Sequence, residues 1–370
     1  MPAGNVVGLI LAGGQGERLW PKSLPERPKQ FLRLGGGDQS LLQATFKRLT
    51  QVLPPERIWV VTLAAYASQV RDQLPDLPPG NLILEPAPRG TAGAIGLACV
   101  MGQWEGTDTV QLVLPADHLV KDEQQFARTL QEASLVAQEG LLVTIGLEPT
   151  RPETAYGYVK LGQQLDGWPF PVYAVEGFRE KPSLPVARRI YRDGRHLWNA
   201  GIFAWKVSVF LARLAQHLPQ HARALQQVAR TPPSAREDLL RMIYPSMPAT
   251  SVDHGVMEKI REGLAVVPAR FEWDDLGNWL AMERILPEDA HGNRCRGNAL
   301  LQDCRGVLVD WEGRAAIIAG ARNLIIAGSG DRLLVCTRRH CRRLANLVRA
   351  MDHLPAEQTT TDGGNRPCGC

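Results

Sequence analysis

The apolar run Val6 to Leu11 passes directly into Gly13-Gly-Gln-Gly16, and that junction constrains the fold more tightly than any other feature of the sequence. An unbroken aliphatic run suits a strand covered on both faces, as in a parallel sheet flanked by helices. Glycines immediately after such a strand belong in the strand-to-helix turn, where open α/β sheets leave room for a ligand. There, backbone N–H groups can close on phosphate oxygens because no Cβ blocks the approach. Two familiar phosphate loops are excluded. A dinucleotide turn needs G-x-G-x-x-G, but Leu19 stands in the last place after Gly14 and Gly16, and a P-loop needs Gly-Lys, a pair absent from the chain. The segment carries Arg18, Lys22 and Lys29 instead. An Arg fork that holds two oxygens and a compact Lys charge together fit a triphosphate. A structural turn with solvated charges would explain the glycines but not the whole string.

The rest of the first half continues the alternation of strands and helices. Ile58 to Leu63, Leu82 to Glu85, Val110 to Leu114 and Leu141 to Ile145 read as strands. Ser40-Leu-Leu-Gln43 has the form of a capping box that opens a helix through about Leu49. The Ala- and Gly-rich stretch from Thr91 to about Trp104 suits a helix packed closely on the sheet. Strand-like segments follow at Val172 to Phe178 and Gly201 to Trp205, with helices at Ser208 to His217 and Asp253 to Arg261. After Trp279 the texture changes to short β runs: Val307 to Asp310, Ala315 to Ile318, Leu324 to Ile326 and Leu333 to Cys336. The 370 residues, 44% hydrophobic and 22% charged, suffice for one large α/β domain and a smaller companion.

Composition excludes several classes. No apolar run approaches the roughly 20 positions of a bilayer-spanning helix, so no membrane partner is expected. Met1-Pro-Ala-Gly-Asn5 lacks a basic leader, which makes a cytoplasmic location the expectation. Seven cysteines are too few and too irregularly spaced for a disulfide framework. Cys368 and Cys370 read as part of a loose tail. A net charge of +4 does not indicate nucleic acid, and Arg338, Arg339, Arg342, Arg343 and Arg349 read as a solvated helix face.

Several motifs together resemble a known family. Leu11-Ala-Gly-Gly-Gln-Gly-Glu-Arg-Leu-Trp-Pro21 and Pro28-Lys-Gln-Phe31 open the series, followed by Glu85-Pro-Ala-Pro-Arg-Gly-Thr-Ala92, Leu114-Pro-Ala-Asp-His118 and Tyr156-Gly-Tyr158. Glu180-Lys-Pro182, Trp198-Asn-Ala-Gly-Ile-Phe203, Ser251-Val-Asp253, Val256-Met-Glu-Lys259 and Trp273-Asp-Asp-Leu-Gly277 complete it. In this order they resemble the sugar nucleotidyltransferases, and among them the mannose-1-phosphate guanylyltransferase family. The resemblance implies an α/β fold with a Rossmann-like mixed sheet of nucleotidyltransferase (GT-A-like) type. A short C-terminal β segment would be similar to the family's left-handed β-helix. It implies a catalytic domain over 1–285, with a nucleotide half at about 1–150 and a sugar-phosphate half at about 151–285. A small β segment with a terminal helix would follow at 290–350, then a disordered tail at 355–370.

The resemblance also distributes roles. Leu11, Ala12, Gly13, Gly14, Gly16, Arg18, Lys29, Glu85, Gly90, Thr91, Ala92 and Asp117 would bind the nucleotide. Gly157, Glu180, Lys181, Asn199 and Asp253 would bind the sugar phosphate. Asp117 and Asp275 would hold Mg²⁺, and Arg18, Lys29, Asp117 and Asp275 would carry catalysis. Gly90 stands where many relatives have Asn, and Ala200 where the family commonly has Ser. Asp253 could equally cap the helix that carries Glu258 and Lys259. His118 reads as a supporting residue, because a phosphate nucleophile is already anionic and needs no base. Trp198 and Trp205 read as core.

The implied reaction is GMP transfer from GTP to α-D-mannose 1-phosphate, with GTP and mannose 1-phosphate as partners and a homodimer expected from the exposed β edges. Many relatives carry a further isomerase domain, and a single activity is expected here. Two alternatives stay open. One is a sister enzyme using UTP, dTTP or ATP with glucose 1-phosphate, against which Trp20-Pro21 and Trp198 to Phe203 weigh. The other is a non-catalytic nucleotide-sugar sensor, against which the retention of Arg18, Lys29 and both acids weighs.

Overall fold

The computed structural model describes residues 5–14, 16–102, 104 and 108–351. The expected tail, with Cys368 and Cys370, lies outside the described residues. The chain forms two compact units, one of Met1–Gly13 with Gln39–Asp274 and the other of Gly14–Asp38 with Asp275–Cys370. The division falls inside the glycine loop, so Gly14–Asp38 groups with the C-terminal part rather than with the body of the expected 1–285 domain.

The first unit is built on a nine-stranded mixed sheet. Its strands in chain order are β1 (Val6–Leu11), β2 (Ile58–Leu63), β3 (Leu82–Glu85), β4 (Val110–Pro115), β6 (Leu142–Leu147), β7 (Gly157–Gln164), β8 (Tyr173–Arg179), β9 (His196–Lys206) and β10 (Leu264–Ala269). The short β5 (Leu119–Val120) pairs separately with β11 (Trp273–Asp274). Sheet order is β3-β2-β1-β4-β9-β6-β10-β8-β7. The four strands β1 to β4 run parallel, as their largely apolar runs suggest. Antiparallel β9 is inserted between β4 and β6 and makes the sheet mixed. β7, last in that order, pairs with both β8 and the start of β9, setting Gly157 opposite Asn199.

Helices cover this sheet. α1 (Leu41–Leu49) begins with the expected capping box: Gln43 N donates to Ser40 Oγ at 3.1 Å, and Ser40 N donates to Gln43 Oε1 at 2.9 Å. α2 (Ala67–Gln73) precedes α3 (Gly90–Met101). In α3 a Cβ at Gly96 would lie 2.5 Å from a Leu225 methyl, so glycine allows the close packing its composition suggested. α4 (Glu123–Gln138) is an addition to the expected elements, although Asp122 caps it through Gln125 N at 2.9 Å and Phe126, Leu130, Ala133 and Ala137 follow helical spacing into the core. α5 (Leu184–Asp193), α6 (Val207–His217), α7 (Pro219–Arg230), α8 (Pro233–Ile243) and α9 (Val252–Gly255) complete the unit. The helix expected at 253–261 is two turns, α9 and a 3₁₀ turn at Met257–Lys259, broken at Val256. Val256 and Met257 are both fully buried. A regular helix would turn such neighbours about 100° apart, whereas the break directs both inward.

The second unit carries 3₁₀ turns at Glu17–Leu19 and Lys29–Phe31 and the helix α10 (Trp279–Ile285). Its four-stranded sheet runs β12 (Arg294–Gln302), β13 (Leu308–Ala319), β14 (Leu324–Ser329) and β15 (Arg332–Thr337), and α11 (Arg338–Cys341) and α12 (Leu344–Met351) close the described chain. The two short strands expected at 307–310 and 315–318 are one strand, because polar Glu312 and Arg314 do not interrupt β13. A small cluster of Cys304, Val307, Val309 and Ile326 forms the core of the sheet. No described helix is long and apolar enough to cross a membrane.

Candidate functional site

In the first unit, β7, the turn after β8, β9 and α9 bring together every residue expected to hold the sugar phosphate. A Cβ at Gly157 would lie 2.4 Å from Glu180 Oε2 and 3.2 Å from Asn199 Cβ, so only glycine leaves this space open. Lys181 adopts φ 43° while its N–H donates to Tyr156 O at 3.2 Å, and its Nζ lies 2.8 Å from Glu180 Oε1. Asn199 accepts from Thr144 Oγ1 at 2.7 Å and donates to Asp253 Oδ1 at 2.9 Å. Burial and the neighbouring Glu180 charge push the Asp253 carboxyl up to about 6, against the pull of Lys181 and Asn199.

Several residues to which the sequence reading gave no site role support this cluster. Glu258 accepts from Glu180 N at 2.8 Å and sits 2.9 Å from His254 Nδ1. The Arg151 guanidinium lies 4.9 Å from the Trp198 ring centroid, and Trp198 meets Tyr156 edge to face. Apart from the His254–Glu258 pair, these contacts join positions far apart in the chain and leave no local pattern to read. Ser251, not Asp253, caps α9, by accepting from His254 N at 3.2 Å. Trp198 and Trp205 are buried, as expected for core residues.

In the same unit the C-terminal ends of parallel β1, β3 and β4 lie along one edge of the sheet. Leu11 O accepts from Ala116 N at 3.0 Å, Ala12 N donates to Val61 O at 2.8 Å, and Ala12 O accepts from Thr62 Oγ1 at 2.9 Å. These bonds hold the backbone that leads into Gly13, where a Cβ would stand 3.2 Å from Glu85 Oε2. Glu85 is buried and accepts from Tyr244 OH at 2.5 Å. Burial raises its pKa to about 7 despite that hydrogen bond. Gly90 has φ 76°, and a Cβ there would lie 2.2 Å from Thr250 O. Thr91 Oγ1 accepts from Val252 N at 2.8 Å and Ala92 N donates to Thr250 O at 3.3 Å, so both groups are engaged within the protein.

Asp117 follows β4 with its side chain about one-third exposed. Next to it, His118 Nδ1 accepts from Trp273 Nε1 at 3.1 Å, and the rings pack edge to face. That bond leaves the ring proton on Nε2, which faces Asp117 Oδ1 at 4.0 Å, beyond hydrogen-bond distance.

In the second unit, a Cβ at Gly14 would touch nothing within 4 Å. Gly16 has φ 67°, and a Cβ there would lie 2.6 Å from Ser23 Oγ and 2.7 Å from Lys29 Cβ. Arg18 is exposed, whereas Lys29 is buried and its Nζ donates to the Asp275 carbonyl. Asp275 Oδ1 accepts from Gly277 N at 3.0 Å across Leu276, which has φ 47°. Lys22, grouped with the phosphate-binding charges in the sequence, instead lies 2.7 Å from both Asp310 Oδ1 and Glu312 Oε1 and is buried. No local pattern points to these partners, which lie nearly 300 positions away.

Asp117 and Asp275 offer carboxylate oxygens only, the donor chemistry Mg²⁺ takes. Among the described residues no group of three or more His, Cys, Asp or Glu forms a metal cage. A Mg²⁺ held by one or two carboxylates and by nucleotide oxygens needs no such cage.

The nucleotidyl transferase family model matches residues 7–291, and the chain belongs to that family of enzymes. Within it, the chain is 34% identical to the mannose-1-phosphate guanylyltransferase of Escherichia coli, over 95% of this chain and 74% of that protein. It is 35% identical to the xanthan biosynthesis protein XanB of Xanthomonas campestris pv. campestris, over 93% of this chain and 73% of the other. A crystal structure from Thermus thermophilus, described as a mannose-1-phosphate geranyltransferase, aligns at 36% identity with a TM-score of 0.81, covering 94% of this chain and 99% of that one. Nucleotidyltransferases of this family generally use a divalent metal.

Proposed function

We propose that the protein transfers GMP from GTP to α-D-mannose 1-phosphate, giving GDP-mannose and pyrophosphate. One observation carries the reading: a relative named for this activity is 34% identical over 95% of the chain. In the proposed reaction an oxygen of mannose 1-phosphate attacks the α-phosphorus of GTP in line, and pyrophosphate leaves. The nucleophile is already anionic, so the obstacle is repulsion between two anions, and positioning and charge neutralisation lower it. Arg18 and Lys29 carry positive charge to the triphosphate. Lys181 meets the sugar phosphate, and Glu180, Asn199 and Asp253 orient sugar hydroxyls. His118 moves no proton. Asp117 and Asp275 would hold Mg²⁺, which when bound supplies further neutralisation of the phosphates.

The proposal includes a catalytic domain over 1–285, supported by the extent of the family match and drawn across the two compact units. It keeps the left-handed β-helix reading of the C-terminal segment. Parallel β12–β13 and β13–β14 are joined by only 303–307 and 320–323, which suits a coiled path, since a flat parallel sheet needs a crossover of roughly a dozen residues. It also keeps a cytoplasmic homodimer. Ile317 and Leu300, paired neighbours on β13 and β12, are 76% and 59% exposed and support self-association. Light scattering that returns a monomer at micromolar concentration would remove the dimer. ³¹P NMR of GTP and mannose 1-phosphate with Mg²⁺ tests the activity: new pyrophosphate and sugar-nucleotide resonances are expected, and an unchanged spectrum would refute it.

A further inference from the structure

The segment Gly14–Asp38 is tied at several points to the C-terminal half of its own unit. Arg349 holds Glu17 Oε2 through Nη2 at 2.7 Å and Nε at 3.0 Å. Trp279 Nε1 donates to Trp20 O at 2.8 Å. Arg27 Nη2 donates to Ser329 Oγ at 3.1 Å, and Ser329 Oγ donates to Glu312 Oε2 at 2.8 Å. Arg296 reaches the carbonyls of Arg33 and Leu34 at 3.4 and 3.5 Å while pairing with Asp310. The densest tie is Lys22, whose Nζ is shared between Asp310 and Glu312 of β13. The Lys22 side chain is 5% exposed and that of Asp310 is wholly buried.

A buried ion pair of this kind adds little net stability over apolar residues of the same volume, because desolvation of both charges offsets their attraction. It does fix geometry, since a cation fully engaged by two carboxylates holds the backbone that carries it in one position. That backbone lies between Arg18 and Lys29, and Gly16 is moulded against Ser23 and Lys29 so closely that no Cβ fits.

We propose that Lys22, held by Asp310 and Glu312, is a positioning residue for GTP: it sets the shape of the Gly14–Asp38 loop, so the C-terminal β segment takes part in nucleotide binding by anchoring that loop. The inference rests on the guanylyl-transfer reading. Lys22→Met is the informative change, because Asp310 keeps Arg296 as a partner and no buried charge is left alone. Steady-state kinetics are measured with GTP and mannose 1-phosphate varied in turn, alongside amide hydrogen exchange of peptides covering 14–38 and 58–63. The expected result is a loss in kcat/KM for GTP on the order of a hundredfold, little change in KM for mannose 1-phosphate, and faster exchange confined to 14–38. Lys22→Arg should restore most of the loss. Equal losses for both substrates, unaltered GTP kinetics, or unchanged exchange in 14–38 would overturn the inference. Wild-type protein silent toward this substrate pair would defeat the functional reading instead, and the exchange pattern alone then decides the anchor.

Discussion

Replacing Glu85 with Gln should stabilise the protein at alkaline pH and bring no gain in acid. Glu85 is 4% exposed, and burial lifts its pKa from the ordinary 4.5 to about 7. Between those values the native state keeps a proton that the unfolded chain has lost. Stability therefore falls as pH rises through that window and is level above it, where the native carboxylate is fully ionised. The difference corresponds to about 3 kcal/mol of destabilisation at pH 8. Gln has nearly the same shape, and its carbonyl can accept from Tyr244 OH, while its added N–H₂ group introduces a donor that costs about 1 kcal/mol if poorly paired. Glu85→Gln should thus gain about 1–3 kcal/mol over wild type at pH 8 and nothing at pH 4.5. Urea denaturation of both proteins across this range is the assay. A stability difference that does not vary with pH would refute the reasoning.

Three further outcomes are expected. Asp117→Asn should lower turnover by on the order of a hundredfold or more with an unaltered melting curve, and normal activity in that variant would remove Asp117 from the metal site. Lys181→Ala should raise KM for mannose 1-phosphate by about tenfold or more and spare KM for GTP; an unchanged KM would move the sugar phosphate elsewhere. Gly16→Ala should cost about 1–2 kcal/mol from the left-handed backbone alone, with more from the contacts to Ser23 and Lys29, and a wild-type melting temperature would contradict the packing described for the loop.

The strands of the nucleotide half are legible because each is a short, largely apolar run, and β1, β2 and β3 have the limits read from sequence. The capping box at Ser40 is legible because it is a local pattern. α4 escapes the reading although its spacing is amphipathic, and the break at Val256 is invisible because core burial, not propensity, produces it. In the site, the five residues assigned to the sugar phosphate do meet, but Thr144 and Arg151 carry no motif of their own. Lys22 is the sharpest case. A lysine in a glycine-rich segment reads as a phosphate ligand, and only the fold supplies Asp310 and Glu312 to consume it.

Pyrophosphate release with Mg²⁺, across GTP, ATP, UTP and dTTP against mannose, glucose and galactose 1-phosphates, tests the central claim most directly. The account predicts release with GTP and mannose 1-phosphate well above every other pair. A different preferred pair, or silence throughout, would contradict it.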